Sequence, residues 1–377
     1  MTRPGRFLIT SWDGGGNTPS ALNLGARLVH LGHRVRLMGW ESMAARTAEA
    51  GLEFACYPSV PSFPKDQPLD DDWEALSKVV LHGHGVRDDI LAQAKEFEPE
   101  VLVVDCMMGA GFDAAGILGC PTAVLVHVMF GPFRYEWGGM MLGMDAGSVL
   151  DSAGAVLALT PPGLDAPCDL PPNTTYVGPI SSPTPQGALR PHLAEMLVEP
   201  GHPWVLLSLS TTLQGQAKAI PPILDALATM PVRVVLTLAD VLPTEAFSVP
   251  PNVIVEGYVP HELLLGHMAA VISHGGLSTV SNALVAGVPL LCIPQGREQP
   301  INAARVEATG AGKMLATDAP PSEIATALKR ILEDSEARIA ARRFAEDALP
   351  LGGGELATKQ VTGLWRDAKT SSADALP

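Results

Sequence analysis

Positive charge is in short supply in this chain. It holds 25 Lys and Arg against 40 Asp and Glu, a formal net charge of −15. That balance argues against a nucleic acid held by diffuse attraction, yet says little about a diphosphate gripped by local donors. Cysteine is sparse too: Cys56, Cys106, Cys120, Cys168 and Cys292 are scattered, odd in number and never spaced as CxxC. Neither a disulfide framework nor a zinc site is indicated, and each is expected to be a small core residue in a reducing cytoplasm. No apolar run approaches the roughly 18–20 residues of a membrane span. A strand is reached by Phe7 without a signal-peptide layout, so no stable membrane insertion and a cytoplasmic location are expected.

What the chain does have is apolar mass. Hydrophobic residues make up 47% and charged ones 17% of 377 residues, enough for two well-packed domains and incompatible with wholesale disorder. Residues 6–10 read as a strand, followed by Gly14, Gly15 and Gly16 and a helix over about 19–31, with Leu24, Leu28 and Leu31 on one face. Strands follow at 34–38, 52–57, 100–104, 122–127 and 155–159. Near-continuous apolar strands alternating with helices imply a parallel sheet covered on both faces. A Pro/Ser/Gly stretch at 181–187 breaks the pattern. A second α/β series then runs through strands at 204–209, 233–238, 253–256, 270–273 and 290–293. The expected division is a domain over 1–185, a linker over 186–200, a domain over 201–350, a C-terminal helix over 351–369 and a disordered tail over 370–377.

One stretch of the second half carries the most chemistry. His274-Gly275-Gly276-Leu277-Ser278-Thr279 lies between an apolar strand and a helix that ends before Gly287 and Pro289. Small residues at a strand-to-helix turn expose unpaired N–H groups and the positive end of the helix dipole, a place suited to phosphate. Ser278, Thr279 and His274 add side-chain donors. Ser210 and Thr211 follow the first strand of the same sheet. Glu298 and Gln299 follow another, where a carboxylate beside an amide suits paired sugar hydroxyls. Tyr258 follows a further strand and could stack on a nucleobase. All four lie on the side of the sheet where ligands of such folds bind, and a two-domain chain places that side at an interdomain cleft.

Residues 204–315 resemble the nucleotide-sugar domain of glycosyltransferase family 1. The resemblance rests on His274-Gly275-Gly276-Leu277-Ser278-Thr279, Ala286-Gly287-Val288-Pro289-Leu290 and Pro294-Gln295-Gly296-Arg297-Glu298-Gln299-Pro300-Ile301-Asn302-Ala303, in matching order and spacing. It implies an α/β GT-B fold, two Rossmann-like domains with parallel sheets facing a cleft, the first for the acceptor and the second for the nucleotide sugar. It implies that His274, Gly276, Ser278 and Thr279 hold the diphosphate, with Ser210 and Thr211 opposite, Glu298 and Gln299 on the sugar and Tyr258 by the base. It further implies an inverting transferase of the bacterial natural-product type. Its partners would be a TDP or UDP sugar and a hydrophobic small molecule, with no nucleic acid, no metal and no resident cofactor; a homodimer is compatible with the sequence. The family often has an acidic residue where this chain has Asn282, so the choice between uridine and deoxythymidine donors stays open.

The first half departs from the family at its most important position. Where most members carry the catalytic His, fifteen residues before Gly32, this chain has Asn17. An amide takes no proton near neutral pH. In the family an Asp orients that His, and Asp105 stands in the matching place. The candidate bases are therefore Asp13, in the glycine-rich loop, and Asp105; His127 is a further candidate. Asp70-Asp71-Asp72 reads as helix capping and solvated charge, and His82-Gly83-His84 lacks a third metal partner. The stretch from Met129 to Trp137, with Met140, Met141 and Met144, suits either an acceptor pocket for a flat aglycone or core packing. Loss of the His also admits a non-catalytic partner protein that keeps the nucleotide-sugar site. A dinucleotide-dependent oxidoreductase using Gly14, Gly16 and Glu41 would require a third glycine where Pro19 stands.

Overall fold

The computed structural model describes residues 3–60, 83–183, 188–239, 241–348 and 352–373. Two parallel sheets organise it. The first has seven strands in the order β3-β2-β1-β4-β5-β6-β7. They are β1 (Arg6–Thr10), β2 (Arg34–Gly39), β3 (Glu53–Cys56), β4 (Val101–Asp105), β5 (Thr122–Val126), β6 (Ala155–Ala158) and β7 (Thr174–Tyr176). The second has six, β8 (Trp204–Ser208), β9 (Arg233–Thr237), β10 (Val253–Glu256), β11 (Met268–Ser273), β12 (Leu290–Cys292) and β13 (Gly312–Met314). Their order is β10-β9-β8-β11-β12-β13. Together they give the α/β, two-sheet architecture expected.

Period-two geometry explains why the central strands read as unbroken apolar runs. On β1, Phe7 and Ile9 join the core under the helix Asn17–His30, while Leu8 joins the core on the other face. On β8, Val205 and Leu207 face one layer and Leu206 the other. Both faces are buried, so no polar alternation remains.

Several boundaries differ from the sequence reading. The first helix begins at Asn17, two residues early, and Leu31 falls beyond its end and is exposed. Edge strands β7 and β13 have only three residues each, too short to stand out as apolar runs. The span expected as linker holds a helix, Pro191–Val198, whose Leu193 and Leu197 are buried in the second domain's core. The last helix, Gly354–Ala373, continues through residues expected to be disordered. Of the cysteines, all free, only Cys106 and Cys292 are buried; Cys56 is exposed. The acidic triplet Asp70-Asp71-Asp72 and His82 lie outside the described residues.

The last helix does not stay with the second sheet. Ala357, Val361 and Trp365 pack into the first domain's core, where Trp365 meets Phe7 and His33 in tilted and edge-on ring contacts. No helix among the described residues is long and apolar enough to cross a membrane.

Candidate active site

Each sheet reverses its strand order once beside its first strand, between β1 and β4 and between β8 and β11. The carboxyl ends of the strands at such a switch point splay their connections apart and leave a crevice. The first crevice is formed by the loop after β1 and by Asp105 at the end of β4. The second is formed by Ser208 to Thr212 after β8 and by His274 after β11. The two crevices meet. A β-carbon built on Gly15 would lie 2.7 Å from Thr211 Oγ1, and one on Gly16 would lie 3.3 Å from Ser278 Cβ. Gly15 has φ +99°, so this approach uses a conformation that side chains resist.

On the second domain, the helix Leu277–Val285 starts at Gly276 with no side-chain cap. Its first N–H groups are thus left for a ligand or solvent. His274 sits over them, its ring so close to Gly276 that a β-carbon there would meet Nε2 at 2.5 Å. The imidazole is 8% exposed, and its Nδ1 is buried without a partner. Burial, helped by the charge of Arg297 and by His261, lowers its pKa to about 4, so at neutral pH it is an uncharged donor. Gly275, at φ +85°, donates its N–H to Ser273 Oγ at 3.1 Å, and buried Asn302 donates to the Gly275 carbonyl at 2.9 Å.

Ser210 is buried and accepts from Thr212 N–H at 3.0 Å, whereas Thr211 is exposed toward the first domain. Thr279 is buried and Ser278 half-buried. Gln299 is spent within its own loop: its Oε1 accepts from the N–H groups of Gln295 at 2.7 Å and Gly296 at 3.2 Å, and its amide donates to Gln214. Glu298 is half-buried at the N-cap of the helix Gln299–Ala308. Tyr258 is exposed, with the Arg46 guanidinium of the first domain 5.8 Å from its ring centroid. Asn282 donates back to the Ser278 carbonyl at 2.8 Å.

Sequence reasoning gave no role to three contacts that hold this region. Ser208 Oγ and His261 Nε2 lie 3.0 Å apart, and burial lowers the pKa of His261 to about 4. Arg305 donates across the cleft to the carbonyls of Leu164 at 2.9 Å and Asp165 at 3.2 Å. The Asp165 carboxylate in turn accepts from the N–H groups of Phe130 at 2.6 Å and Gly131 at 3.2 Å. A lone Arg on a helix and a lone Asp in a loop carry no motif that would reveal this.

In the first domain Asp105 is the hub. Its Oδ2 accepts from Asn17 Nδ2 at 2.7 Å and Ser11 Oγ at 3.4 Å. Its Oδ1 accepts from Met107 N–H at 3.0 Å and lies 2.9 Å from His127 Nε2. Burial pushes this carboxyl up, but the charge of His127 and these hydrogen bonds outweigh it and hold Asp105 below the usual range. For His127 burial acts downward, and Asp105 and Cys106 outweigh it, leaving the imidazole well above its ordinary value. Asn17 also donates to the Trp12 carbonyl at 2.9 Å, and its own Oδ1 is buried without a partner. Asp13 is half-buried, accepting from Ser42 Oγ at 2.5 Å and Thr18 Oγ1 at 3.5 Å. Tyr57 fixes the root of the glycine loop by donating to the carbonyls of Ser11 and Met38, each at 3.1 Å.

Asp105, Cys106 and His127 bring an oxygen, a sulfur and a nitrogen within 4.8 Å of one another, the mixed donor set of a metal site in kind. Both oxygens of Asp105 already accept hydrogen bonds, and its separation from His127 is that of a hydrogen bond. The expected aglycone stretch divides: Met129, Phe130 and Phe133 are core, while Tyr135 and Met140 are exposed. Between them the backbone takes a π-helical turn, Phe133–Trp137.

Residues 222–354 match the family described as erythromycin biosynthesis protein CIII-like, C-terminal domain. A PGL/p-HBAD biosynthesis glycosyltransferase of Mycobacterium tuberculosis is 32% identical over 215 residues, 56% of this chain and 48% of that protein. The 4'-demethylrebeccamycin synthase of Lentzea aerocolonigenes is 33% identical over 180 residues, 48% of this chain and 42% of that protein. The match thus spans about half the length of these curated relatives. Among solved structures, the glycotransferase of kitacinnamycin superposes with a TM-score of 0.77 at 22% identity, covering 96% of this chain and 100% of its own. The glycosyltransferase VinC, solved in complex with DTDP, superposes at 0.72 and 20% identity with the same coverage. The chain therefore has the GT-B fold of these structures, and residues 222–354 carry a domain similar to the C-terminal domain of that family.

Proposed function

We propose that the chain is an inverting glycosyltransferase that moves a sugar from a TDP or UDP donor to a hydrophobic small-molecule acceptor. One observation carries the reading. A buried, uncharged imidazole stands beside the uncapped start of a nine-residue helix whose Ser278 faces the glycine loop of the other domain. Unpaired donors converging on one place describe a pocket for an anion without a countercharge. In this reading His274, Gly276, Ser278 and Thr279 hold the diphosphate, and Ser210 and Thr211 close it from the opposite loop. Tyr258 flanks the base, Glu298 contacts the sugar, and Gln299 acts by shaping the loop that presents Glu298.

Attack by an acceptor oxygen on the anomeric carbon, from the face opposite the diphosphate, would place the acceptor in the first crevice near Asn17 and Asp105. As the bond to the diphosphate breaks, negative charge grows on the leaving oxygens. Preorganised N–H donors at Ser278 stabilise that charge more than the ground state. The sequence-level candidates for the base, Asp13 and Asp105, both remain near this place.

Calorimetric titration with TDP, UDP and inorganic phosphate tests the reading. Binding of a nucleoside diphosphate at micromolar strength or better is expected, abolished by a Ser278→Trp block. No binding of either nucleotide would overturn it. The replacement of the usual His by Asn17 keeps a second reading in view, a non-catalytic partner that binds the nucleotide sugar. Nucleotide binding without any release of TDP from TDP-glucose would favour that second reading.

A further inference from the structure

We infer that His127, oriented by Asp105, is the group that removes the acceptor's proton. The inference rests on the sugar-transfer reading above and names a catalytic residue within it.

The argument begins with what each neighbour can do. Asn17 occupies one side of Asp105, and its amide hydrogens are directed at Asp105, Trp12 and Ser11. It can hold a carboxylate in place but cannot accept a proton. Asp105 is 2% exposed, and its oxygens accept from Asn17, Ser11 and Met107 besides facing His127. A carboxylate so surrounded is stabilised in its charged form and is a weak, inaccessible base. His127 stands on the opposite side of the same carboxylate, one residue beyond β5, which pairs directly with β4. Its side chain keeps 14% of its surface open while that of Asp105 keeps 3%, so the imidazole is the member of the pair that a substrate can reach.

The arrangement is an imidazole backed by a buried carboxylate, the pairing that fixes a ring's orientation and stabilises the imidazolium formed when it takes a proton. Other ionisable groups could blur this. Those that bear on His127 are Asp105 and Cys106, both at the end of β4, and both favour its protonated form. Asp13 belongs to the glycine loop and is held by Ser42 and Thr18.

The step balances. The acceptor's O–H bond breaks and its proton passes to Nδ1 of His127, the ring nitrogen that does not face Asp105. The oxygen's electron pair forms the new bond to the anomeric carbon, and the bond to the diphosphate breaks with its electrons leaving on the nucleotide. The imidazolium that results is neutralised by Asp105. In this scheme Asp105 and Asn17 are positioning residues.

The test measures TDP release from TDP-glucose with 4-nitrophenol, with 4-methoxyphenol and with water alone as acceptor. At mildly alkaline pH the first phenol is largely ionised and needs no base; the second does. His127→Gln should lower turnover on 4-methoxyphenol by about 100-fold or more and on 4-nitrophenol by under about tenfold. TDP affinity and circular dichroism should match wild type. Asp105→Asn should lower the midpoint of the ascending limb of the pH–rate profile, since it removes the charge that raises the imidazole. A readout free of turnover is proton NMR titration of the His127 ring, assigned by its loss in H127Q. Its midpoint should lie above the ordinary 6.5 and fall in D105N.

Wild-type turnover of H127Q on 4-methoxyphenol, or an equal loss on both phenols, would overturn the inference. So would the phenol-dependent loss appearing in Asp13→Asn instead. If the wild-type chain binds TDP yet releases none from TDP-glucose with any of the three acceptors, the transferase reading fails first. That outcome is recognisable because it does not depend on the variant.

Discussion

Gly15 and Thr211 touch across the cleft, the one at the tip of the glycine loop after β1, the other in the loop after β8. The contact leaves no room for a side chain, since a β-carbon on Gly15 would lie 2.7 Å from Thr211 Oγ1.

Gly15→Ala is expected to cost about 1–2 kcal/mol in backbone strain at φ +99° and to push the loops apart. Turnover should fall by about tenfold or more, because misplacement of the reacting groups is expensive. Gly15→Ala combined with Thr211→Gly should recover part of the loss. Steady-state rates with TDP-glucose check this.

His274→Ala should weaken TDP binding by about 10- to 100-fold, the worth of one hydrogen bond to a charged group. His274→Gln retains a donor and should weaken it less. With its pKa lowered to about 4, His274 stays neutral across the ordinary histidine range, so its contribution should not change between mildly acidic and mildly alkaline pH. Calorimetry over that range measures both.

Acid should destabilise the second domain early. His261 and His274 have folded values of about 4 against an ordinary 6.5. Between those values the unfolded chain binds the protons and the folded chain does not, so stability falls as pH drops through that window. Each His contributes a loss of at most about 3 kcal/mol. Urea midpoints at neutral pH and near pH 5 should differ less in the His261→Gln, His274→Gln double variant than in wild type.

Arg305→Ala removes two hydrogen bonds that join the second domain to the backbone at Leu164 and Asp165. A loss of about 1–3 kcal/mol is expected. Because Asp165 also holds Phe130 and Gly131, the change should raise the acceptor's KM while leaving TDP affinity near wild type.

The long buried strands and the turn at His274 were legible because each is a local pattern: an apolar run, then small donors, then a helix. The reading of Asn17 as standing where the family has its His came instead from the resemblance, by its distance from Gly32. The tie between Asp105 and His127 was not legible. It depends on β4 and β5 being neighbours in register, which a string of apolar residues does not state. Sequence reasoning accordingly named Asp13 and Asp105 as candidate bases and kept His127 as a further candidate without linking it to Asp105. Strands β7 and β13 escaped because three residues give no periodicity, and the helix Pro191–Val198 because a proline-rich approach hid it.

The chain crosses between its lobes twice. It leaves the first sheet after β7, and it returns when Gly354–Ala373 lays Ala357, Val361 and Trp365 on that sheet. The two crossings run side by side, for a β-carbon on Gly353 would lie 2.7 Å from the Pro179 carbonyl. Shearing off the last helix would therefore strip an oily patch bare on the half of the molecule farthest from it in sequence, and would leave the lobes swinging on a single cord.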